Sequence, residues 1–133
     1  MPECRYCERD YQRSDRSVLE NELFFANYDN HPVSRGHMKI IPKRHIDSLA
    51  SLTGLECIAL LEMIQRAKAL IDHEYHPDGY NIGDNEGEAA GQTVFHLHIH
   101  VIPRYYGDVK NPVGGIRNII PGRGDYREGP GNR

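Results

Sequence analysis

Three histidines stand at alternate positions in the run His96-Leu97-His98-Ile99-His100. Successive side chains of a β-strand point to opposite faces, so the three imidazoles are expected on one face and the aliphatic side chains in the core. Imidazole is a common metal ligand and, when neutral, also a nucleophile. The spacing therefore leaves two chemistries open: a metal site built from the three histidines, or one nucleophilic histidine that its neighbours assist.

The residues before this run favour the nucleophile. Gly91 allows a ligand to approach the backbone closely, while Gln92 and Thr93 add a side-chain amide and a hydroxyl. Neutral donors of this kind can bind phosphate oxygens. The flanks of the histidine run, residues 91–104, contain no carboxylate that would complete a catalytic three-histidine metal set. The pattern therefore predicts a phosphate-bearing substrate.

A second cluster lies at the N-terminus, where Cys4 and Cys7 have the two-residue spacing typical of a tetrahedral zinc site. Cys57 is not expected to join them, because it falls on the apolar face of a predicted helix and should be a small core residue. His45 is the natural third ligand. An odd number of cysteines argues against a disulfide framework and favours a reducing compartment, the cytoplasm.

Composition restricts the class of protein further. The chain has 133 residues, a formal net charge of −3, 38% hydrophobic residues and 26% charged residues, which is typical of one soluble globular domain. No apolar run is long enough to span a membrane, and the first residues lack the apolar core of a secretory signal. The mild acidity argues against nucleic-acid binding, which needs a positive surface.

The elements that must position these residues are predicted to form an α+β fold. Thr53 and Glu56 have the spacing of a capping box, which predicts a long helix from Gly54 to Glu74. Its apolar side is predicted to carry Cys57, Leu60, Leu61, Ile64, Ala67 and Ile71. Five strands are expected at residues 18–20, 23–26, 38–41, 80–82 and 95–102, and a loop at residues 84–91.

These elements predict a mostly antiparallel five-stranded sheet with one long helix and a short one. We expect a single domain over residues 1–120, followed by a flexible tail over residues 121–133 that is rich in glycine and proline.

The run from Gly91 to Arg104 resembles the signature of the histidine triad (HIT) family of nucleotide hydrolases and transferases. Residues 29–37 and 40–45 resemble the N-terminal half of that family, and residues 85–87 resemble the loop before its triad. Residues 111–121 resemble its microbial, dinucleoside-polyphosphate-hydrolase-like members. The resemblance implies an α+β fold and a homodimer in which two sheets join into one of about ten strands.

The resemblance also implies roles for individual residues. His98 matches the nucleophile that attacks the α-phosphorus and forms a nucleotidyl-histidine, and His100 matches the histidine near the leaving group. The phosphate would be held by Asn85, Gln92 and Thr93, and the ribose by Asp29. Zinc-containing relatives have a structural zinc whose ligands here would be Cys4, Cys7, His45 and His96. No Lys or Arg is in the catalytic set, so protonated imidazole and backbone amides are expected to meet the transition-state charge.

Three functions remain open at this point. The first is the nucleotide hydrolase or nucleotidyl transferase, acting on a purine nucleotide, a dinucleoside polyphosphate, a nucleoside phosphoramidate or an adenylylated adduct. The second is a zinc-dependent hydrolase with the three histidines as ligands, and the third is a non-catalytic nucleotide-binding module. The apolar segment 113–120, with Arg117 as a possible phosphate contact, is expected to reach the active site of a dimer partner or to fold back on its own subunit.

Overall fold

The computed structural model describes residues 4–8 and 17–128. It has five strands, β1 (Ser17–Glu20), β2 (Phe24–Tyr28), β3 (Met38–Pro42), β4 (Gly79–Gly83) and β5 (Ile99–Arg104), and one long helix, α1 (Gly54–Tyr75). The strands form one sheet in the order β1-β2-β3-β5-β4, and each neighbouring pair is antiparallel. The predicted α+β class is confirmed, and in the described part of the chain the other helical pieces are 3-10 turns of three to five residues.

Helix α1 begins where the capping box predicts. The Thr53 hydroxyl accepts a hydrogen bond from the Glu56 N–H at 3.2 Å, and the Glu56 carboxylate accepts one from the Thr53 N–H at 2.9 Å. The helix ends at Tyr75, and the next residue, His76, caps it: His76 takes the left-handed conformation at φ 52° and donates its N–H to the Asp72 carbonyl. Within residues 4–8 and 17–128, no helix is long and apolar enough to cross a membrane.

One face of the sheet packs against α1 and forms the main core. The helix contributes, at spacings of three and four residues, Leu60, Met63, Ala67 and Ile71. The predicted apolar side was too wide, because Cys57 is exposed and Leu61 is 56% exposed. Cys57 follows the buried Glu56, and Leu61 follows the buried Leu60. Successive side chains are about 100° apart around a helix, so both point away from the core. Cys57 is therefore a surface thiol, contrary to its predicted place in the core.

The buried Glu56 gives a testable contribution to stability. It is 4% exposed and accepts two hydrogen bonds from the Arg44 guanidinium, at 2.8 and 3.0 Å, besides its part in the capping box. Glu56→Ala removes these hydrogen bonds and is expected to lower the free energy of unfolding by about 2 kcal/mol. The loss is no larger because solvent around the half-exposed Arg44 weakens the ion pair. Chemical denaturation measures this loss, with the exposed Glu62→Ala as a control expected to cost less than about 0.5 kcal/mol.

The same contact predicts an acid-sensitive step in stability. Arg44, with help from the Thr53 N–H, lowers the pKa of Glu56 from 4.5 to about 2. A carboxyl whose pKa is depressed on folding stabilises the fold above its unfolded pKa, so this contribution should disappear as the pH falls from 4.5 towards about 2. A Glu56→Ala variant that loses stability over this pH interval as steeply as the unmodified protein would contradict the assignment.

The fifth strand starts later than predicted, at Ile99 and not at residue 95. The Leu97 N–H donates to the Ile46 carbonyl in the loop after β3, so the chain before Ile99 is not paired in the sheet. The alternation itself is confirmed on the core side, because Leu97, Ile99 and Val101 are each at most 3% exposed. His96 and His98 thus lie in an extended segment that leads into β5.

The chain after β5 folds against its own sheet. Residues 115–119 form a 3-10 turn, and Gly114 (φ 92°) lies so close to Gly124 that a Cβ would overlap the Gly124 carbonyl. Arg117 donates to that carbonyl at 3.1 Å, and Asn111 donates to the Asp125 carboxylate at 3.0 Å. Residues 121–128 are thus tied to the segment before them. The predicted flexibility of residues 121–133 stays a prediction, because 129–133 lie outside the described residues.

Candidate active site

The site lies on the sheet face opposite α1, where His98 has a defined tautomer. Its Nδ1 is 2.9 Å from the His96 carbonyl oxygen, which can only accept, so Nδ1 carries the proton and Nε2 keeps its lone pair. Burial lowers the pKa of His98, an effect that the Lys39 charge reinforces. A neutral imidazole with a free Nε2 lone pair is the form that can act as a nucleophile.

The proton of His100 is fixed by a chain of hydrogen bonds through His37. The Val33 N–H donates to His37 Nδ1 at 3.2 Å, so the proton of a neutral His37 is on Nε2. His37 Nε2 is 2.9 Å from His100 Nδ1 and donates to it, which leaves the His100 proton on its own Nε2. Burial, and then the neighbouring His98 and His37, lower the pKa of His100 to about 4. His100 is therefore a neutral hydrogen-bond donor at pH 7.

Asp29 lies beside this pair. One carboxylate oxygen accepts from the His31 N–H at 2.9 Å, and the other is 3.6 Å from His37 Nε2 and 3.7 Å from His100 Nδ1. Burial acts to raise the pKa of Asp29, but the His31 N–H and the charges around it outweigh burial and lower the pKa. The structure thus places an ionised carboxylate at the edge of the histidine cluster.

The ligand atoms of Asp29, His37 and His100 lie within 4.8 Å of one another, which suits a divalent metal by distance alone. The hydrogen bond from Val33 argues against a metal, because His37 Nδ1 already uses its lone pair as an acceptor. His37 Nε2 then carries the proton and has no lone pair for a metal. The cluster is better described as a hydrogen-bonded relay.

Sequence reasoning assigned no role to His37 and expected no lysine in the site, and the structure corrects both points. Lys39 is 5% exposed and pairs across the strands with His100, and its Nζ is 3.4 Å from the Tyr6 hydroxyl. The Tyr6 ring packs edge-on against His98, with 5.3 Å between centroids. A lysine in the otherwise apolar run of β3 was the available signal.

The predicted phosphate-binding residues lie around the loop before the triad. Gln92 is 5% exposed, and its side-chain oxygen accepts a hydrogen bond from the Gly87 N–H at 2.9 Å. This bond joins the middle of the loop of residues 84–91 to the residue that follows it. Asn85 and Thr93 are exposed. Asn85 also lines a cavity of 350 Å³ that borders His100.

This cavity joins the triad to the C-terminal segment of the same chain. Its walls include Ile102 of β5 next to His100, and three isoleucines of the segment that are each more than half exposed, Ile116, Ile119 and Ile120. Of the two arrangements considered for residues 113–120, a single chain adopts the one in which the segment folds back. The cavity gives space for a ligand beside His100.

The four predicted zinc ligands, which include the first histidine of the triad, come together in one cluster. The ligand atoms of Cys4, Cys7, His45 and His96 lie within 4.8 Å of one another. Cys7 Sγ is 3.2 Å from His45 Nδ1, and His96 Nδ1 is 3.3 Å from Cys4 Sγ and 3.4 Å from Cys7 Sγ. Zinc bond lengths in a tetrahedral site imply sulfur-to-nitrogen distances of about 3.5 Å, so the donor set fits this ion.

The tautomer of His96 also fits a metal. His96 is fully buried, and its Nε2 donates to the Pro42 carbonyl at 2.7 Å, which leaves the Nδ1 lone pair facing the two thiols. In the described residues, the ligand atoms of His96 and His100 belong to two different clusters, and His98 belongs to neither. This divergence argues against a zinc hydrolase with the three histidines as ligands.

Residues 11–107 match the model of the HIT domain, and the chain belongs to this family. Similar solved structures include a HIT family protein from Bacillus anthracis, at 36% identity and a TM-score of 0.72, covering 80% of this chain and 76% of that one. A Zn-bound histidine triad family protein from Mycobacterium smegmatis is 35% identical with a TM-score of 0.70, covering 80% of this chain and 78% of that one.

Two relatives with named activities are similar in sequence. An AP-4-A phosphorylase from Mycobacterium tuberculosis is 36% identical over 107 residues, which cover 78% of this chain and 54% of the relative. A bis(5'-adenosyl)-triphosphatase from Dictyostelium discoideum is 35% identical over 99 residues, which cover 74% of this chain and 66% of the relative. The chain thus spans about half to two thirds of the length of these relatives.

Proposed function

We propose that this chain is a nucleotide hydrolase or nucleotidyl transferase that attacks the α-phosphate of a nucleotide through His98. The observation that carries the proposal is the hydrogen bond from His98 Nδ1 to the His96 carbonyl, because it leaves the Nε2 lone pair available. The names of the M. tuberculosis and D. discoideum relatives support a substrate with phosphoanhydride bonds. A purine nucleotide or dinucleoside polyphosphate is the proposed substrate.

In the first step, His98 Nε2 attacks the α-phosphorus. A P–N bond forms, the bond from phosphorus to the leaving oxygen breaks, and its electron pair leaves with that oxygen. The Nε2–H of His100 donates a hydrogen bond to the phosphate as charge develops, and the buried ammonium of Lys39 lies on the same sheet face. Asp29 is the proposed acceptor for ribose hydroxyls, and Asn85, Gln92 and Thr93 form the proposed phosphate-binding loop.

In the second step, water attacks the phosphorus of the nucleotidyl-histidine. Its oxygen forms a bond to phosphorus, the P–N electron pair returns to His98 Nε2, and one proton of the water passes to solvent. Another nucleophile in place of water would make the same intermediate a nucleotidyl donor. Splitting the reaction in this way replaces one difficult displacement with two easier ones.

The state of His100 favours phosphoanhydrides over phosphoramidates. A polyphosphate departs as a stable anion, whereas an amine must receive a proton, and His100 is neutral at pH 7 because its pKa lies at about 4. Incubation with a dinucleoside polyphosphate, a nucleoside phosphoramidate and an adenylylated adduct, with products separated by chromatography, tests this. The polyphosphate should react fastest, and a faster phosphoramidate would contradict the preference.

The relay through His37 predicts the effect of two variants. His37→Leu is expected to lower kcat by about tenfold to a hundredfold with little change in KM, because His100 loses the donor that fixes its proton on Nε2. His37→Gln keeps an amide donor at a similar position and should recover most of the activity. Steady-state kinetics measures both, and the exposed His31→Leu is a control expected to be unchanged. Equal losses in the two His37 variants would show that His37 acts only through packing.

We further propose that Cys4, Cys7, His45 and His96 hold a structural zinc ion. When bound, zinc supplies a four-ligand cross-link with no open position for water. The Zn-bound M. smegmatis relative supports this proposal, as do the distances between the donors. None of the three cysteines forms a disulfide, which is compatible with the proposed cytoplasmic location.

A homodimer is the proposed assembly. Helix α1 exposes an apolar strip of Leu55, Ile58 and Leu61, which are 74%, 70% and 56% exposed, and β4 is an edge strand of the sheet. Pairing of two β4 edges would create the ten-stranded sheet implied by the family and cover apolar surface. Sedimentation should give twice the chain mass of 15.2 kDa, and deletion of residues 111–133 tests whether the C-terminal segment serves the partner's site.

A further inference from the structure

The ring of Tyr6 lies against the proposed nucleophile. Tyr6 belongs to the N-terminal 3-10 turn Arg5–Cys7 and is 5% exposed. Its ring meets the His98 imidazole edge to face, with 5.3 Å between centroids, and it meets the His96 imidazole in the same manner at 5.8 Å. Both distances lie within the range of an attractive aromatic pair. Tyr6 therefore contacts two members of the triad at once.

His98 lies just before the residue at which pairing in the sheet begins. The strand β5 starts at Ile99, so the position of the His98 side chain depends on contacts other than the strand ladder. The hydrogen bond from Nδ1 to the His96 carbonyl holds one atom of the imidazole, and a carbonyl accepts hydrogen bonds over a broad range of directions. The rings of Tyr6 and His100 lie against the imidazole, at 5.3 and 5.2 Å between centroids, and restrict its rotation.

Tyr6 is itself held in place by the central part of the sheet. It forms one buried cluster with Phe25 of β2 and Ile41 of β3, which pair directly with each other across the two strands. At the tip of the ring, the Tyr6 hydroxyl is 3.4 Å from Nζ of the buried Lys39. These contacts fix the position of the ring relative to β2 and β3. The ring therefore connects the His98 side chain to strands that are paired in the sheet.

We infer that Tyr6 is a positioning residue, whose ring keeps the His98 imidazole in the orientation that directs Nε2 towards the phosphate. The inference rests on the proposed attack by His98, and it gives the turn between the two cysteines a role in the reaction besides the proposed metal binding. Because the contact is made by the aromatic ring, phenylalanine should replace tyrosine here with little loss. Because Tyr6 acts on the nucleophile and not on the substrate, it should affect kcat and leave KM nearly unchanged.

Steady-state kinetics on the full chain, with a dinucleoside polyphosphate as the substrate, tests this role. Tyr6→Leu should lower kcat by about tenfold, the factor that corresponds to one good aromatic contact, and should change KM by less than about twofold. Tyr6→Phe should keep kcat within about twofold of the unmodified protein. Ile41→Val is the matched control, because it removes a methylene group from the same buried cluster but keeps the aromatic contact, and it should leave kcat unchanged. Tyr6→Met fills more of the space and gives the same comparison if Tyr6→Leu does not fold.

Nitrogen NMR reports on the imidazole of His98 without any need for turnover. In the unmodified protein, the two ring nitrogens should have widely separated chemical shifts, because only Nδ1 carries a proton. In Tyr6→Leu the two shifts should move towards each other, since a loosely held ring exchanges its proton between the two nitrogens. In Tyr6→Phe they should stay apart. The spectrum of His98→Ala identifies which signals belong to His98.

Specific outcomes would contradict this role. A raised KM with an unchanged kcat in Tyr6→Leu would make Tyr6 a substrate contact and would overturn the inference. A loss of kcat in Tyr6→Phe or Ile41→Val as large as that in Tyr6→Leu would overturn it too, as would His98 nitrogen shifts that stay apart in Tyr6→Leu. An unmodified protein that turns over no nucleotide would overturn the proposed function, whereas the NMR comparison would still decide whether Tyr6 holds His98.

Discussion

His98→Ala is expected to lower kcat by at least about a thousandfold while nucleotide affinity stays within about tenfold. The variant removes the nitrogen proposed to form the covalent bond, but it leaves Asp29, His100 and the loop of residues 84–91 in place. Loss of turnover with retained binding is the pattern expected of a nucleophile. Steady-state kinetics together with calorimetry on a nucleoside monophosphate measures the two effects separately.

The proposed covalent intermediate gives an independent check of the same assignment. Rapid quenching during turnover should trap an acid-labile nucleotide adduct, and mass spectrometry should locate it on His98. His73→Ala, an exposed histidine of α1, is the matched control and should keep full activity. Turnover in His98→Ala comparable with that of the unmodified protein would exclude this nucleophile. If no adduct accumulates under conditions that give a burst of product, covalent catalysis would be disfavoured.

The second large effect concerns the proposed zinc site. The double variant Cys4→Ser, Cys7→Ser should lose zinc and lower the melting temperature by about 10 °C, with a smaller effect on activity. The loss should be large because the ligands join three separate parts of the chain, the N-terminal turn, the loop after β3 and the segment leading into β5. Metal analysis and a thermal scan measure the two changes, and about one zinc per chain is expected in the unmodified protein.

A third cysteine provides the control for this experiment. Cys57 is an exposed thiol on α1, so Cys57→Ser should keep the metal and change the melting temperature by no more than about 1 °C. Protein purified without a chelator and found to contain no zinc would refute the site. An unchanged melting temperature of the double variant would show that the ion, even if present, does not stabilise the fold.

Local signals made much of the fold predictable. The capping box fixed the start of α1 because Thr53 and Glu56 satisfy each other's backbone N–H groups, an interaction contained in four residues. The alternation of Leu97, Ile99 and Val101 predicted their burial for a similar reason, since a single strand determines which side faces the core. The start of β5 was missed because it depends on the Ile46 carbonyl, which belongs to a distant loop.

The candidate site was less predictable, because much of it depends on contacts between strands. His37 meets His100 across 63 positions of sequence, and Lys39 reaches the site through the register of β3 against β5. The lysine in the otherwise apolar run of β3 marks Lys39 as unusual, but the sequence around Lys39 and His37 does not identify His100 as the residue that they meet. The four proposed zinc ligands were named from the motif, whereas their closeness, and the backbone carbonyl that sets the His96 tautomer, are properties of the folded chain.

His96 contacts its neighbours through its side chain and, separately, through its main-chain carbonyl. Its side chain faces the cysteines, while its main-chain carbonyl holds the proton of His98. Every amino acid has that carbonyl, so another side chain in place of the imidazole would still orient the proposed nucleophile, provided that the backbone kept its path. The proposed metal site and the proposed reaction therefore use different parts of His96, and a substitution of its side chain would remove a metal ligand without removing the carbonyl that orients His98.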